Sequence, residues 1–381
     1  MRIAALRTTI VSVPFSGEEV WVYGRRRGIT NVLVELETDD GLTGLGEAMG
    51  WPTPEVTASV LESARADVIG CDPFRIEELV GRLYARRGWH YFRNTAGCAF
   101  GGLEMALWDV VARASDLPLH VLFGGAVRER VPYYWYVPAG PADAMAAAAR
   151  EGVEQGFTTL YLKVGFTPGG TVADVAALRQ AVGPGPRLRV DANEGWSVGE
   201  AVRAIEELES LDVEFVEQPV NMYDLAALGE VQERVTVPVG ANQTSWDEFA
   251  TLAVLRDGLA SVVVTDPHQV GGLARFKKVA AMCEIADVPV VKHSFGDLGI
   301  STFAAAHVLA TCPNASLAHQ THYQLLKDDV IAGGPPVFEE GGLTLPDGPG
   351  IGVELDRDHV ETFSELYRRN GWLSPYEERA A

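Results

Sequence analysis

Seven short apolar runs, spaced almost evenly between residues 163 and 319, each end on a polar or ionisable side chain, and this regularity restricts the fold more than any other feature of the sequence. The closing residues are Lys163, Asp191, Glu217, Asn242, Asp266, His293 and His319, separated by 28, 26, 25, 24, 27 and 26 residues. One strand plus one helix of a (β/α)8 barrel takes roughly 25 to 30 residues, and the C-terminal strand ends of such a barrel all open on one mouth. With VPYYWYV added at the front, the runs TLYLKVG, RLRVDAN, VEFVEQP, VPVGAN, SVVVTDP, VPVVKHS and ASLAHQT make eight candidate strands, with amphipathic helical stretches between them. The spacing therefore predicts that the seven polar ends share one pocket. A lone polar residue at a strand end is more often a satisfied structural group, but seven in register are not explained that way. A dinucleotide fold is disfavoured, because GGAVRE and VGGLARF do not place GxGxxG between a first strand and its helix.

Ahead of this region the texture differs. Strand-like pieces such as RIAALRTTIVSV and NVLVELETDDGLTGLGEA alternate with helical ones such as RIEELVGRLYARR and GGLEMALWDVVARAS, the pattern of an α+β domain. A chain of 381 residues that is 47% hydrophobic has material for more than one packed core. Its net charge of −21 speaks against attraction to nucleic acid or to anionic membranes. Cys71, Cys98, Cys283 and Cys312 have neither CxxC nor CxxxH spacing and read as reduced core residues. No run of 18 apolar residues and no cleavable leader is seen, so a cytoplasmic protein acting on a small molecule is expected.

The strand ends themselves suggest a chemistry. Asp191 and Glu217 close consecutive strands, and two carboxylates with further oxygen ligands suit Mg2+, a hard cation that keeps positions for water or substrate. The amide oxygen of Asn242 offers a third ligand, with Gln243 the adjacent substitute; the competing reading is that Asn242 only caps the helix beginning at TSWDEF. Asp266 and His293 close the next two strands, where a carboxylate–imidazole hydrogen bond would fix the tautomer and raise the basicity of a general acid/base. Lys163 interrupts an otherwise apolar strand where the pocket begins, and a neighbouring cation and desolvation are expected to lower its pKa enough for it to act as a base.

With these residues in place the sequence resembles the enolase superfamily, and within it the mandelate racemase-like members, over nearly its whole length. The resemblance rests on GLTGLGEA and GGLEMALWDVVARASDLPLHVLFGG in the first region and on KVG, VDANEGW, VEQP, TDPHQVGG and VKHSFGDLGIS, in that order, in the second. It implies an α/β fold, a modified (β/α)7β TIM-like barrel over residues 128–344 with an N-terminal α+β capping domain over 1–127, completed by a C-terminal return, 345–381, that includes LPDGPGIGVELD. It also implies Mg2+-dependent abstraction of the proton α to a carboxylate, with the metal stabilising the enediolate. Asp191 and Glu217 match the first two metal ligands, Lys163 one base, and Asp266 with His293 the other. Three positions depart from the commoner pattern. Tyr161 replaces the first lysine of Lys-x-Lys; Asn242 replaces an acidic third ligand, as in glucarate dehydratase-like members; and His319 with Gln320 stand where racemases present an acidic group, leaving His319 to donate to the oxyanion.

Bases on two faces permit dehydration of an acid sugar (aldonate or aldarate) to a 2-keto-3-deoxy product, or racemisation and epimerisation of a 2-hydroxy acid; the resemblance implies dehydration, because in that family His–Asp pairs go mostly with acid-sugar dehydratases, and it speaks against cycloisomerisation, which there goes with a pair of lysines. A non-catalytic binder of acid sugars is the remaining alternative, against which the retention of Lys163, Asp266 and His293 speaks. Substrate contacts are expected from capping loops carrying the triplet Arg25, Arg26 and Arg27, of which Arg25 is ranked first by position, with Trp51 and His90, and from Asn193 and Gln320 at the barrel mouth, in a protein expected to form a homo-oligomer.

Overall fold

The computed structural model describes residues 1–166 and 168–373, the side chains of residues 87–91 and 168 excepted. The chain begins with an antiparallel meander, β1 (Ile3–Trp21), β2 (Gly24–Thr38) and β3 (Thr43–Met49). Helices α1 (Pro54–Val68) and α2 (Ile76–Ala114) cover one face of it, followed by the single turn α3 (Leu119–Leu122). α1 starts where Thr53 accepts the Val56 N–H at 3.3 Å and Pro54 occupies a position whose N–H would be unused. α2 is two helices joined across a kink at Phe92, which has φ 53° and ψ 151°.

The glycines of GLTGLGEA set how closely α2 lies on the sheet. A Cβ on Gly46 would stand 2.0 Å from the Gly102 carbonyl oxygen, and one on Gly102 would stand 2.6 Å from the Ala48 backbone nitrogen. Only backbone against backbone fits there, so alanine at either position would lift the helix from the sheet and open the apolar layer formed by Leu36, Val34, Leu103 and Leu107.

The second region is the barrel. Strands β5 (Trp135–Val137), β6 (Thr159–Lys163), β7 (Arg187–Asp191), β8 (Val213–Glu217), β9 (Val239–Ala241), β10 (Val262–Thr265) and β11 (Val290–Lys292) pair in parallel in sequence order. Residues 319 and 320 close the ring: Gln320 N–H donates to the Lys292 carbonyl and His319 N–H to that of Pro132, both at 2.9 Å. Pro132 belongs to β4 (Arg130–Pro132), which pairs with β12 (Gly342–Thr344). Between the strands run α4 (Ala142–Glu154), α5 (Pro168–Val182), α6 (Val198–Leu208), α7 (Leu225–Arg234), α8 (Glu248–Arg256), α9 (Pro267–Val270), α10 (Leu273–Ile285) and α11 (Gly299–Ala310). Local chemistry starts several of them: Ser197 and Glu200 form a reciprocal capping box on α6, and Asp224 and Asp247 cap α7 and α8.

Alternation along the strands sorts the barrel into two layers. Leu160, Leu162, Leu188, Val190, Val216, Val263 and Val290 face the helices in the main apolar core. Residues of the other parity, Tyr161, Phe215, Val262, Val264, Val291 and Ala318, fill the barrel interior, where the Arg189 guanidinium lies 4.3 Å from the Phe215 ring centre. At roughly 1.5–3 kcal/mol for each fully buried large aliphatic side chain, the outer layer dominates the stability of the fold, which leaves the inner layer able to carry polar groups at its upper end. α12 (Arg357–Asn370) returns to pack on β1, and beyond it Leu373 N–H donates to Thr30 Oγ1 at 2.9 Å, fixing Trp372 against the meander. Among the described residues no helix is long and apolar enough to cross a membrane.

Candidate active site

Parity places the polar ends. Lys163, Asp191, Glu217, Asp266 and His293 continue the inward-facing series of their strands, and Asn242 follows Gly240 in the same way. Lys163, Asn242 and His293 line a cavity of about 420 Å3 between the barrel mouth and the capping domain, together with Asn193, Trp51 and residues of both regions. His319 does not belong to it. Its parity is that of the outward layer, its ring stands edge-on to Tyr133, and its Nδ1 accepts the Lys292 N–H at 3.1 Å. The regular spacing predicts seven inward ends, but the last is one residue out of phase, and a shift of one residue reverses the face. Gln320 takes the inward position, donating from Nε2 to both oxygens of Glu217 at 2.9 and 2.7 Å and accepting the Ser294 N–H.

Beneath the cavity Asp191 Oδ2 accepts from Lys163 Nζ at 2.8 Å and from the Tyr161 hydroxyl at 2.6 Å, while Oδ1 accepts the Asn193 N–H. Tyr161 is thus a buried partner of Asp191. Burial, and then the charge of Asp191, pushes the Glu217 carboxyl up to about 8. The Asn242 side chain makes no cap bond, and Asp247 caps α8; Asn242 Nδ2 donates to the Val264 carbonyl, and its Oδ1 is buried without a partner among the described residues. Two crowded carboxylates and an unsatisfied amide oxygen form an oxygen-rich set that fits a hard divalent cation. For the Lys163 ammonium, burial alone would depress the pKa, but Asp191, Glu19 and Glu217 outweigh burial and hold it above its usual range.

The expected Asp266–His293 hydrogen bond is not made. Asp266 Oδ1 accepts from both the backbone N–H and Nδ1 of His268, at 2.8 Å each, and Asp266 Oδ2 lies 3.4 Å from Lys292 Nζ. Asp266 caps the turn of α9, so its nearest imidazole is the one two residues along the chain. His293 Nδ1 is buried and has no partner among the described residues, and its ring stands edge-on to Phe295 with centroids 4.3 Å apart. Burial, against the attraction of Asp266, holds this imidazole well below its ordinary pKa and therefore neutral. Asp266, His268 and Asp297 gather atoms within 4.8 Å in a metal-like cluster, but the Lys292 ammonium is already bound to Asp297 and faces Asp266 there.

On the capping side it is Arg26 of the arginine triplet, not Arg25, that lines the cavity, with Glu19, which sequence reasoning missed. Glu19 and Arg26 form a buried ion pair, Arg26 also donates to the Phe295 carbonyl, and Glu19 Oε1 lies 3.1 Å from His322 Nε2. Burial would raise the Glu19 carboxyl, but Arg26, His322 and Lys163 keep it well below the usual carboxylate range. Arg25 is not part of the cavity wall and lies 3.6 Å from Glu18. The His90 side chain lies outside the described residues.

The enolase C-terminal domain-like family matches residues 144–359, and the mandelate racemase / muconate lactonizing enzyme N-terminal domain matches residues 20–124. A probable glucarate dehydratase of Streptomyces coelicolor is 33% identical over 90% of this chain and 85% of its own. A D-galactarolactone cycloisomerase of Agrobacterium fabrum is 28% identical over 95% and 99%. An enolase of Pseudomonas fluorescens solved with magnesium, potassium and tartrate superimposes with a TM-score of 0.89 at 28% identity, covering 97% of this chain and 93% of that one. These relatives share a fold and divide among reactions. From the capping meander to the closing strand, the chain belongs to the mandelate racemase / muconate lactonizing enzyme family of the enolase superfamily.

Proposed function

We propose that this protein removes the proton α to a carboxylate and, in doing so, dehydrates an acid sugar to its 2-keto-3-deoxy product. The observation that carries the reading is that Lys163 and His293, delivered by β6 and β11, line one cavity with Asn242 between the strands that supply them. Asp191, Glu217 and Asn242 would hold Mg2+, which when bound supplies positive charge to the substrate carboxylate and to the enediolate. Neutral His293 accepts the α-proton, and the C–H electron pair enters the enediolate. As that pair returns to form the C2–C3 double bond, the C3–O bond breaks and the imidazolium gives its proton to the departing hydroxyl, which leaves as water. Tautomerisation of the enol then gives the 2-keto acid. Lys163 faces the carboxylate end, held by Asp191, and is placed to exchange a proton on the other face of the same carbon. That second base supports epimerisation as the runner-up. A mere binding protein has no use for two proton-transfer groups at one cavity.

The test is an acid-sugar screen with Mg2+ present, reading 2-keto acid formation. Product should appear with at least one acid and fall about a thousandfold or more in His293→Asn. Clean inversion at the α-carbon without loss of water would replace dehydration by epimerisation.

A further inference from the structure

Building on the acid-sugar reading, we infer that the cavity takes a monocarboxylate, an aldonate, in preference to the matching dicarboxylate, because the Glu19–Arg26 pair leaves its capping side without a cation for a second carboxylate. Among the described residues that line the cavity, the side chains that are always cationic near neutral pH are Lys163 and Arg26. Lys163 sits on Asp191 at the barrel end. Arg26 would otherwise be the natural fork for a distal carboxylate. Its Nε is committed to Glu19 and one terminal nitrogen to the Phe295 carbonyl, and its side chain is only 13% exposed. The flanking arginines offer no substitute: both Arg25 and Arg27 face Glu18, Arg27 Nε at 2.9 Å.

A second carboxylate arriving at this wall would be stripped of water beside the Glu19 carboxylate, an arrangement with a desolvation cost and no compensating charge. Hydroxyl groups meet the opposite situation. The oxygens of Glu19 and Glu194 retain acceptor capacity beyond their present partners, and both residues line the cavity. Around them, rings run in sequence from the capping loop to the base: Trp51 to Trp246 at 6.5 Å, Trp246 to Phe295 at 5.5 Å, and Phe295 to His293 at 4.3 Å. Flat apolar faces with a few acceptors suit the C–H and hydroxyl surface of a neutral polyol. His322, 3.1 Å behind Glu19, helps hold the carboxylate in its pair with Arg26. Glu19 is therefore a specificity-determining residue, excluding an anion both by its charge and by occupying Arg26.

The experiment compares six-carbon aldonates with aldarates of the same configuration. Turnover is read on the Mg2+-loaded full-length protein, and binding is read by calorimetry on the His293→Asn form, which does not need to complete the reaction. The aldonate should lead by tenfold or more in both measurements. Glu19→Gln, with folding checked by its melting temperature, should shrink that lead at least tenfold by freeing Arg26. If Glu19→Gln does not fold, the preference of the Glu19-containing protein decides alone. Faster turnover and tighter binding of aldarates would overturn the inference while leaving dehydration standing. Tenfold tighter binding of aldonates without any dehydration would uphold the selectivity and sink the dehydratase reading. Equal binding, or binding of neither acid, would overturn the inference.

Discussion

The two walls of the cavity are fixed by different physics. On the barrel side each polar group is a strand end locked by the parallel ladder, with Lys163, Asp191 and Glu217 as successive register partners. On the capping side Glu19 and Arg26 are partners across the β1–β2 hairpin, but beyond a register shift between Pro14 and Glu19 that breaks the alternation. The ladder wall can place a metal and bases to within a fraction of an ångström in any barrel of this kind. The hairpin wall can be re-aimed by a bulge or a single substitution without disturbing the core. On the proposed function, chemistry resides in the rigid wall and selectivity in the adaptable one.

The largest effect should come from the ladder wall. Glu217→Gln is expected to weaken Mg2+ binding by about a thousandfold, roughly 4 kcal/mol, measured by titration calorimetry. Gln320→Leu, which keeps Glu217 but removes the amide that holds it and that accepts the Ser294 N–H, should cost about 10- to 100-fold. Equal losses in the two variants would mean that Glu217 is not a ligand.

The seam between the walls gives the next effect. Glu104, on α2 of the capping domain, accepts the Leu273 and Ala274 N–H groups that open barrel helix α10. Burial pushes its carboxyl up to about 7 from an ordinary 4.5, against those hydrogen bonds and that of Trp108. Because the folded state holds this proton more tightly, its contribution to stability is complete below the ordinary pKa and is lost as pH rises through about 7. Urea unfolding at pH 5 and pH 8 should show a fall of about 2 kcal/mol from this group that is missing in Glu104→Gln, while the parallel slope from Glu47 persists. An unchanged slope in the variant would show that Glu104 ionises as it does in the unfolded chain.

The smallest effect should be at Arg25. Paired with Glu18 and outside the cavity wall, it should change kcat/KM by no more than about twofold when replaced by alanine, as befits a half-exposed ion pair. A tenfold loss would place it at the substrate.

How much of this was legible in the sequence follows the same division. The barrel and its inward Lys163, Asp191, Glu217, Asn242 and His293 are readable because a repeat of strand and helix leaves a period in the chain. His319 failed because the closing segment carries two polar residues in succession, and spacing alone does not tell their faces apart. Asp266 was read against the next strand, while the chain itself offered His268 two residues away. The choice among Arg25, Arg26 and Arg27 was beyond reach: the irregular hairpin sets which one turns inward, and the carbonyl that fixes Arg26, that of Phe295, is 269 residues distant in sequence. Long-range packing leaves no local pattern to read.

On the proposed mechanism Lys163 and His293, one from each side of the ladder wall, serve opposite faces of the same α-carbon. This is tested most directly by NMR, following exchange of the substrate α-proton with D2O alongside product formation in Lys163→Ala and His293→Asn, with Mg2+ present and the best acid from the screen. His293→Asn should lose product formation by about a thousandfold or more, while Lys163→Ala should keep product formation and lose only the exchange at the face the lysine serves. Exchange and dehydration at undiminished rates in both variants would contradict the assignment of Lys163 and His293 together.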